Sequence, residues 1–330
     1  MATKNFFKDK VVLITGGTGS FGQAFTRKIL SQKPKKLIIF SRDEMKQWHM
    51  EKEYKNSRNL RFFIGDVRDK ERLHRAFHNV DYVIHAAAMK IIPTAEYNPF
   101  ECIKTNIIGA MNVIDTAIDN KVSKVVALST DKASSPINLY GSTKLASDKL
   151  FISANVYSTS STFSVVRYGN VMGSRGSVIP LFLEAKNDGV LGITDFRMTR
   201  FMITIEEGVE LVFKAFSEMQ GGEIFVKKIP SMNILDIAKA IAPTAEIKEI
   251  GVRPGEKIHE QMIGSEDAPF TYEFSDCYKI LPPEIDIGFF SKSLKGGKKV
   301  EDDFIYSSNN NKKIMKISEL KKWIKKQKFS

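Results

Sequence analysis

Short apolar runs rich in β-branched and aromatic side chains alternate with amphipathic stretches through the first half of the chain. Lys10–Thr15, Lys36–Phe40, Leu60–Gly65, Asp81–His85, Lys124–Ser129 and Ser164–Tyr168 are each apolar for a few residues and end at turn-forming or polar positions. Runs of this length and composition predict buried strands. Helical patterns separate them: one leads to Leu30, one runs from about Pro99 to Asn120 and carries Asn106, and one continues through about Ala154. Six strands alternating with helices over residues 10–170 predict an α/β fold with one doubly wound parallel sheet.

Beyond residue 170 the rhythm loosens. Val178–Glu184 reads as a helix start and Ile193–Met202 as irregular. Ile205–Met219 and Ile234–Ile241 read as helices, Glu223–Lys227 and Glu246–Ile250 as short strands, and Arg253–Lys257 as a turn through its Pro-Gly. The expected organisation is a Rossmann-type, dinucleotide-binding domain over residues 1–175 and a smaller α/β lobe over 176–330, with a segment at about 203–228 returning to the first. That lobe would cover the C-terminal edge of the sheet, where open α/β sheets bind ligands.

The first strand runs into Gly16-Gly17-Thr18-Gly19-Ser20-Phe21-Gly22, and a helix follows at once. Gly17-x-Gly19-x-x-Gly22 in that context fits the dinucleotide fingerprint, in which glycine permits the tight turn and a close approach of pyrophosphate to a helix N-terminus. The second strand ends at Ser41-Arg42-Asp43. An acid about 20 residues past the glycines suits the ribose of NAD, whereas a guanidinium suits a 2′-phosphate. Arg42 stands at the strand end and Asp43 one place on, so NADP is the favoured cofactor. Asp66 and Val67, after the third strand, suit an adenine. Ala86 and Ala87 after the fourth are small enough for a cofactor to approach, and Lys90 would meet a phosphate or hydroxyl.

The fifth strand leads into Ser129-Thr130-Asp131-Lys132, and Tyr140-Gly-Ser-Thr-Lys144 follows. Residues four apart share a helix face, and an ammonium there would favour phenolate and make Tyr140 a base. Such a pair is frequent by chance, so its weight comes from the glycine turn and the strand rhythm around it.

Composition excludes more than it selects. The 330 residues are 42% hydrophobic and 27% charged, as in ordinary soluble proteins, and no apolar run is long enough to span a bilayer. The N-terminus carries no signal-peptide pattern, and Cys102 and Cys277 form no ligand or disulfide framework, which favours a reducing cytoplasm. His74 and His78 are four apart, but Arg75 stands where a zinc-protease helix has Glu, so no metal site is expected. The excess of 50 basic over 38 acidic residues sits late, in Lys292–Lys299 and Lys312–Lys328. Ile317, Leu320 and Ile324 give the tail a helical apolar stripe, so its lysines read as a solvated face. No aromatic-interleaved groove for nucleic acid appears.

Taken together, Thr15-Gly16-x-x-Gly19-x-x-Gly22, Asp66, His85-Ala-Ala-Ala, Ser129-Thr130, Tyr140-x-x-x-Lys144 and Arg167-x-x-Asn170 resemble the extended short-chain dehydrogenase/reductase superfamily. STDKA-x-x-PINLYG-x-TKL, AEYNPFE-x-IKTNI-x-G, RYGNV-x-GSRGSV, TD-x-RMTRF and IG-x-RPGEK-x-HE are similar to the inverting UDP-N-acetylglucosamine 4,6-dehydratases, essentially end to end. Asp131-Lys132 is the specific mark, because retaining relatives carry Asp-Glu. The resemblance implies a homo-oligomeric enzyme that uses a tightly bound, recycled NADP and opens a pseudaminic acid-type pathway. It implies Asp131, Lys132, Tyr140 and Lys144 as catalytic residues. Lys132, if neutral, would remove the C5 proton, and Asp131, if protonated, would protonate the departing 6-hydroxyl. Gly16, Thr18, Gly19, Ser20, Phe21, Gly22, Ser41, Arg42, Asp66, Val67, Ala86, Ala87, Lys90, Ser129, Tyr140 and Lys144 would line the cofactor. Lys90, Ser129, Thr130, Asn170, Arg200 and Arg253 would hold the nucleotide-sugar, the two arginines on its diphosphate. The competing expectations are a retaining dehydratase, a 4-epimerase of a UDP-sugar and a non-catalytic NADP-sensing regulator.

Overall fold

The computed structural model describes residues 5–174, 177–185, 189–283, 285, 287–291 and 293–326. Arg175 and Gly176 of the GSRGSV stretch, and Lys292 and Lys328 of the basic runs, lie outside them. The first half alternates as β1 (Val11–Thr15), α1 (Ser20–Leu30), β2 (Lys36–Ser41), α2 (Glu44–Glu53), β3 (Leu60–Ile64), α3 (Lys70–Ala76) and β4 (Tyr82–His85). It continues through α4 (Ile92–Tyr97), α5 (Pro99–Ile103), α6 (Gly109–Asp119), β5 (Lys124–Leu128), α7 (Leu139–Tyr157) and β6 (Thr162–Arg167).

The second half holds β7 (Asn170–Val171), α8 (Val178–Ala185), β8 (Val190–Ile193), β9 (Thr199–Ile203), α9 (Ile205–Glu218), β10 (Ile224–Lys227), β11 (Ser231–Asn233) and α10 (Ile234–Ile241). Then come β12 (Glu246–Glu249), β13 (Gln261–Ile263), β14 (Thr271–Glu273), β15 (Cys277–Ile280), β16 (Lys298–Lys299), β17 (Tyr306–Ser307) and α11 (Ile317–Lys326).

The main sheet has the order β16-β14-β15-β10-β6-β5-β4-β1-β2-β3. From β3 to β10 every pairing is parallel; β15, β14 and β16 extend that edge antiparallel. The chain leaves β1 for β2 on one side and reaches β4 on the other, so the strand order reverses there. The resulting crevice lies beyond Thr15 and His85, which are register partners. Strands β1 and β2 are almost wholly buried, which explains their continuous apolar runs.

Two expectations are corrected. The pattern from Pro99 to Asn120 is not one helix: α5 and α6 are joined by a single π-helical turn, Lys104–Ile108, whose extra residue holds Asn106 in place. The segment Ile193–Met202 is irregular only from Thr194 to Met198; its ends belong to β8 and β9. β8 pairs with β12, and β9 pairs with β7 and β11. In β8 exposed and buried positions alternate over only four residues, too few to stand out as a strand. These small sheets pack with α8, α10 and α11 around a second core that includes Ile179, Leu191, Met202, Ile237 and Leu320.

Candidate active site

The turn after β1 prepares a site for an anion. Gly19 begins α1 with no side-chain cap, so the free N–H groups of the first turn face outward. A side chain at Gly22 would place its Cβ 2.2 Å from the Gly17 carbonyl oxygen, so only glycine lets the helix leave the turn this closely. Beside it, the Thr18 and Ser41 hydroxyls are hydrogen-bonded at 2.7 Å. Asp43 caps α2 by accepting from the Lys46 N–H at 2.9 Å, which diverts it from a ribose. Arg42 reaches Asp66 at 3.4 Å, and Arg68 grips the same carboxylate at 2.7 and 2.9 Å. Burial alone would raise Asp66, but the two guanidiniums outweigh it and hold the carboxyl below its ordinary value. Val67 is buried, and a Cβ at Gly109 would meet it at 2.7 Å.

At the end of β4 the Thr15 hydroxyl accepts from the Ala86 and Ala87 N–H groups, each at 3.2 Å, leaving its own hydrogen for His85 Nδ1 at 2.9 Å. His85 is therefore neutral, and burial followed by the Lys144 charge pushes it down to about 3. Asn106 accepts from the Met89 N–H at 2.9 Å and donates to the Met89 carbonyl and the Thr143 hydroxyl, both at 3.0 Å. The π-helical turn thus ties the loop after β4 to α7.

The chemistry-bearing side chains meet beyond β5. Asp131–Ala133 form a short helical turn, and Lys132 Nζ donates to Asp131 at 3.1 Å and to Asn170 at 3.3 Å. Its third neighbour is Glu260, also at 3.3 Å. A Cβ at Gly141 would lie 2.3 Å from the Lys132 carbonyl oxygen, so this glycine is what seats α7 against the turn. Tyr140 lies in the first turn of α7, and Thr130 hydrogen-bonds its hydroxyl.

The charges differ from the sequence reading in two respects. Lys132 is not neutral: burial opposes its charge, but Asp131 and Glu260 together raise the amine above its ordinary value. Tyr140 is not lowered by Lys144. Burial pushes it up to about 12, and the groups that oppose this are the Lys132 charge and the Thr130 hydrogen bond. Lys144 instead donates to the Leu128 carbonyl at 2.7 Å, and burial lowers it despite Asp148. Asp131, wholly buried, is raised by loss of solvation, with one oxygen partnerless.

The remaining predicted residues are dispersed. Ser129 turns inward and donates to Asp148 at 2.7 Å. Ser20 and Phe21 open α1, and Lys90 lies after β4, its ammonium lowered first by lost solvation and then by Lys132. Arg200 does not point at open space: its fork donates to the Thr199, Ile258 and Lys257 carbonyls at 2.8–3.0 Å, and its Nε lies 3.7 Å from Glu260. Arg253 is exposed, 3.9 Å from Glu256, and its turn lines a groove of about 480 Å³ with Glu96, Ile137, Asn138, Leu139 and Ser142. Sequence reading missed Glu260, Arg68 and His85 as site residues. The run Arg253-Pro-Gly-Glu-Lys-Ile-His-Glu260 was the available signal for the first, but nothing in its spacing ties it to Lys132.

A family model described as "polysaccharide biosynthesis protein" matches residues 12–282. The chain is 56% identical over 315 residues to a UDP-N-acetylglucosamine 4,6-dehydratase (inverting) of Campylobacter jejuni, covering 92% of this chain and 94% of the relative. It is 44% identical over 319 residues to a UDP-glucose 4-epimerase of Rickettsia conorii, covering 93% of each. The solved structure of Pen from Bacillus thuringiensis superposes with a TM-score of 0.89 at 40% identity, over 98% of this chain and 100% of that one.

Proposed function

The chain belongs to the polysaccharide biosynthesis protein family, on the branch of the inverting UDP-N-acetylglucosamine 4,6-dehydratases, and from that premise we propose how its residues act. The reaction removes water from UDP-N-acetylglucosamine with inversion at C5, giving UDP-2-acetamido-2,6-dideoxy-β-L-arabino-hex-4-ulose. The observation that carries this reading is the contact between wholly buried Asp131 and partly buried Lys132, beside Tyr140. A 4-epimerase needs a group for the 4-hydroxyl proton, but no acid and base for C5 and C6. A regulator needs none of the three.

A nicotinamide cofactor, when bound, accepts hydride from C4 and returns it to C6. Gly16, Gly19 and Gly22 with the uncapped start of α1 would hold its pyrophosphate. Arg42 and Arg68 would take a 2′-phosphate, and with Asp43 engaged as a helix cap NADP is preferred over NAD. Ala86, Ala87 and Lys90 would flank it.

Tyr140, as the phenolate, would take the 4-hydroxyl proton, held by the Thr130 hydrogen bond. The ketone then acidifies C5–H; Lys132, once it has shed its own proton, would remove that one, and Asp131 would supply one to the departing 6-hydroxyl. Lys132 would take the proton from one face of C5, and a proton returned from Tyr140 on the other would invert it. Asn170 and Thr130 position the ring. Arg253, at the rim of the groove by α7, is the diphosphate ligand; Arg200 supports the site from behind, its donors being engaged by the chain.

Exposed Tyr97, Phe100, Ile108, Met111, Val156 and Tyr157 on α4, α5, α6, the π-helical turn and α7 suit burial against a second copy, hence a homo-oligomer. No helix among the described residues is long and apolar enough to cross a membrane. The enzyme would work in the cytoplasm, supplying a 4-keto-6-deoxy sugar to a pseudaminic acid-type pathway.

Proton NMR of UDP-N-acetylglucosamine turned over in D2O tests this. A new C6 methyl with deuterium at C5 and L-arabino couplings is expected. D-xylo couplings would overturn the inversion, and a methyl-free epimer would overturn the dehydration.

A further inference from the structure

Glu260 has no place in the sequence-based mechanism, yet it is among the most deeply buried carboxylates of the site. Its side chain is 3% exposed, and Oε2 has no hydrogen-bond partner. The backbone fixes it: the Glu260 N–H donates to the Ser308 hydroxyl at 2.9 Å, and the Ser308 N–H donates to the Glu260 carbonyl at 2.7 Å. These bonds fix the stretch of backbone from which the carboxylate reaches Lys132.

We infer that Glu260 is a positioning residue for Lys132, holding the amine between two carboxylates and taking up the proton that Lys132 must shed before it can act as a base. This rests on the reading of Lys132 given under Proposed function. An ammonium has three N–H donors, and Lys132 finds three acceptors: Asp131, Asn170 and Glu260. An ammonium so satisfied is no base. The charged groups facing Glu260 are Lys132 and Asp131 on the turn after β5, Arg200 on β9 and Lys257 on its own segment, and before a sugar enters the three cations outweigh burial and hold its carboxyl below the ordinary value. Of the cationic ones only Lys132 lies at hydrogen-bond distance and is asked to lose its proton; Arg200 stays charged.

When a sugar displaces water, an ion pair in a drier site loses solvation on both partners, and transfer of one proton gives a neutral amine beside a neutral acid. The protons then balance through the turnover. Asp131 and Glu260 begin protonated and Lys132 neutral. The C5–H bond breaks, its proton goes to Lys132, and its electron pair forms the C5–C6 double bond as the C6–O bond breaks. Water leaves with the Asp131 proton. Lys132 then passes its proton to Asp131, 3.1 Å away, restoring the starting state. Glu260 keeps its proton throughout.

The test compares wild type with Glu260→Gln and Glu260→Asp. Glutamine keeps the shape but cannot take up the proton that Lys132 sheds. It should lower kcat at neutral pH by about 100-fold with little change in KM. Its kcat should also climb about tenfold per pH unit, since Lys132 must now lose its proton to solvent. Wild type and Glu260→Asp should instead be flat through neutral pH. A Gln variant with wild-type kcat, or one with a lower but equally flat profile, would overturn the inference. Independently of turnover, the 15Nζ resonance of Lys132 in lysine-labelled protein should titrate at lower pH in Glu260→Gln; an unchanged midpoint would overturn it as well. Failure of wild type to form the C6-methyl product sinks the parent reading alone, because the lysine titration still reads the pair.

Discussion

Asp131 is wholly buried, raised by loss of solvation and left with one unpartnered oxygen, all of which favour a neutral acid with a proton to give. Asp131→Asn cannot give that proton; kcat should fall by about 100-fold or more, while UDP-sugar affinity measured by calorimetry stays near wild type. Arg42 offers a second single-residue test. Replacing it with alanine should weaken NADP binding about tenfold and leave NAD nearly unaffected, since only a 2′-phosphate uses the guanidinium. Equal losses for both cofactors would remove Arg42 from that role. Residue identities at the chemical centre were legible because they follow one strand in an unbroken run, Ser129 to Lys132, and then open the next helix. Their charge states were not. Those depend on Glu260, which reaches the site from a distant segment, and on Lys144 turning to the Leu128 carbonyl.

At the scale of elements, the site depends on how closely α7 rests on the turn that carries Lys132. Gly141→Ala would force a Cβ to within 2.3 Å of the Lys132 carbonyl, and no flexible side chain can yield there. The variant should lose a few kcal/mol of stability in urea titrations, and its kcat should fall through displacement of Tyr140 and Lys132 from one another. Most strands of the first half were readable because they are buried on both faces and so written as continuous apolar runs; β3, at the sheet edge, is half-exposed and keeps only a short apolar run. β8 and β9 were not readable as strands, because they are short and sit in small sheets. The π-helical turn Lys104–Ile108 was invisible for a different reason: an inserted residue alters the phase of a helix without altering its composition.

Across the whole molecule, the parallel order from β3 to β10 brings β1, β4 and β5 side by side, and their C-terminal ends supply cofactor cradle, buried histidine and reactive turn together. Neutral His85 makes this arrangement sensitive to acid. Its folded value of about 3 lies below the ordinary 6.5, so the unfolded chain takes up a proton that the folded chain refuses. Its contribution to stability is therefore full above the ordinary value and is lost as pH falls from there toward 3. Between pH 7 and pH 5 wild type should lose about 2 kcal/mol more stability than His85→Gln, measured by urea unfolding. Parallel losses in the two proteins would show that His85 is not the cause.

The clasp between Glu260 and Ser308 also orders events in time. The glycine turn proposed to grip a dinucleotide comes early in the chain, whereas the segment that carries the carboxylate beside Lys132 is fastened by a hydroxyl 48 residues further on. A nascent polypeptide emerging from the ribosome can fold its early strands long before that fastening exists. An interrupted or nicked product would then retain the nucleotide cradle but lack a properly tethered Glu260. Sugar chemistry would be withheld until the stretch around Ser308 has been added, sparing the cell a half-built enzyme that oxidises its substrate and cannot complete the turnover.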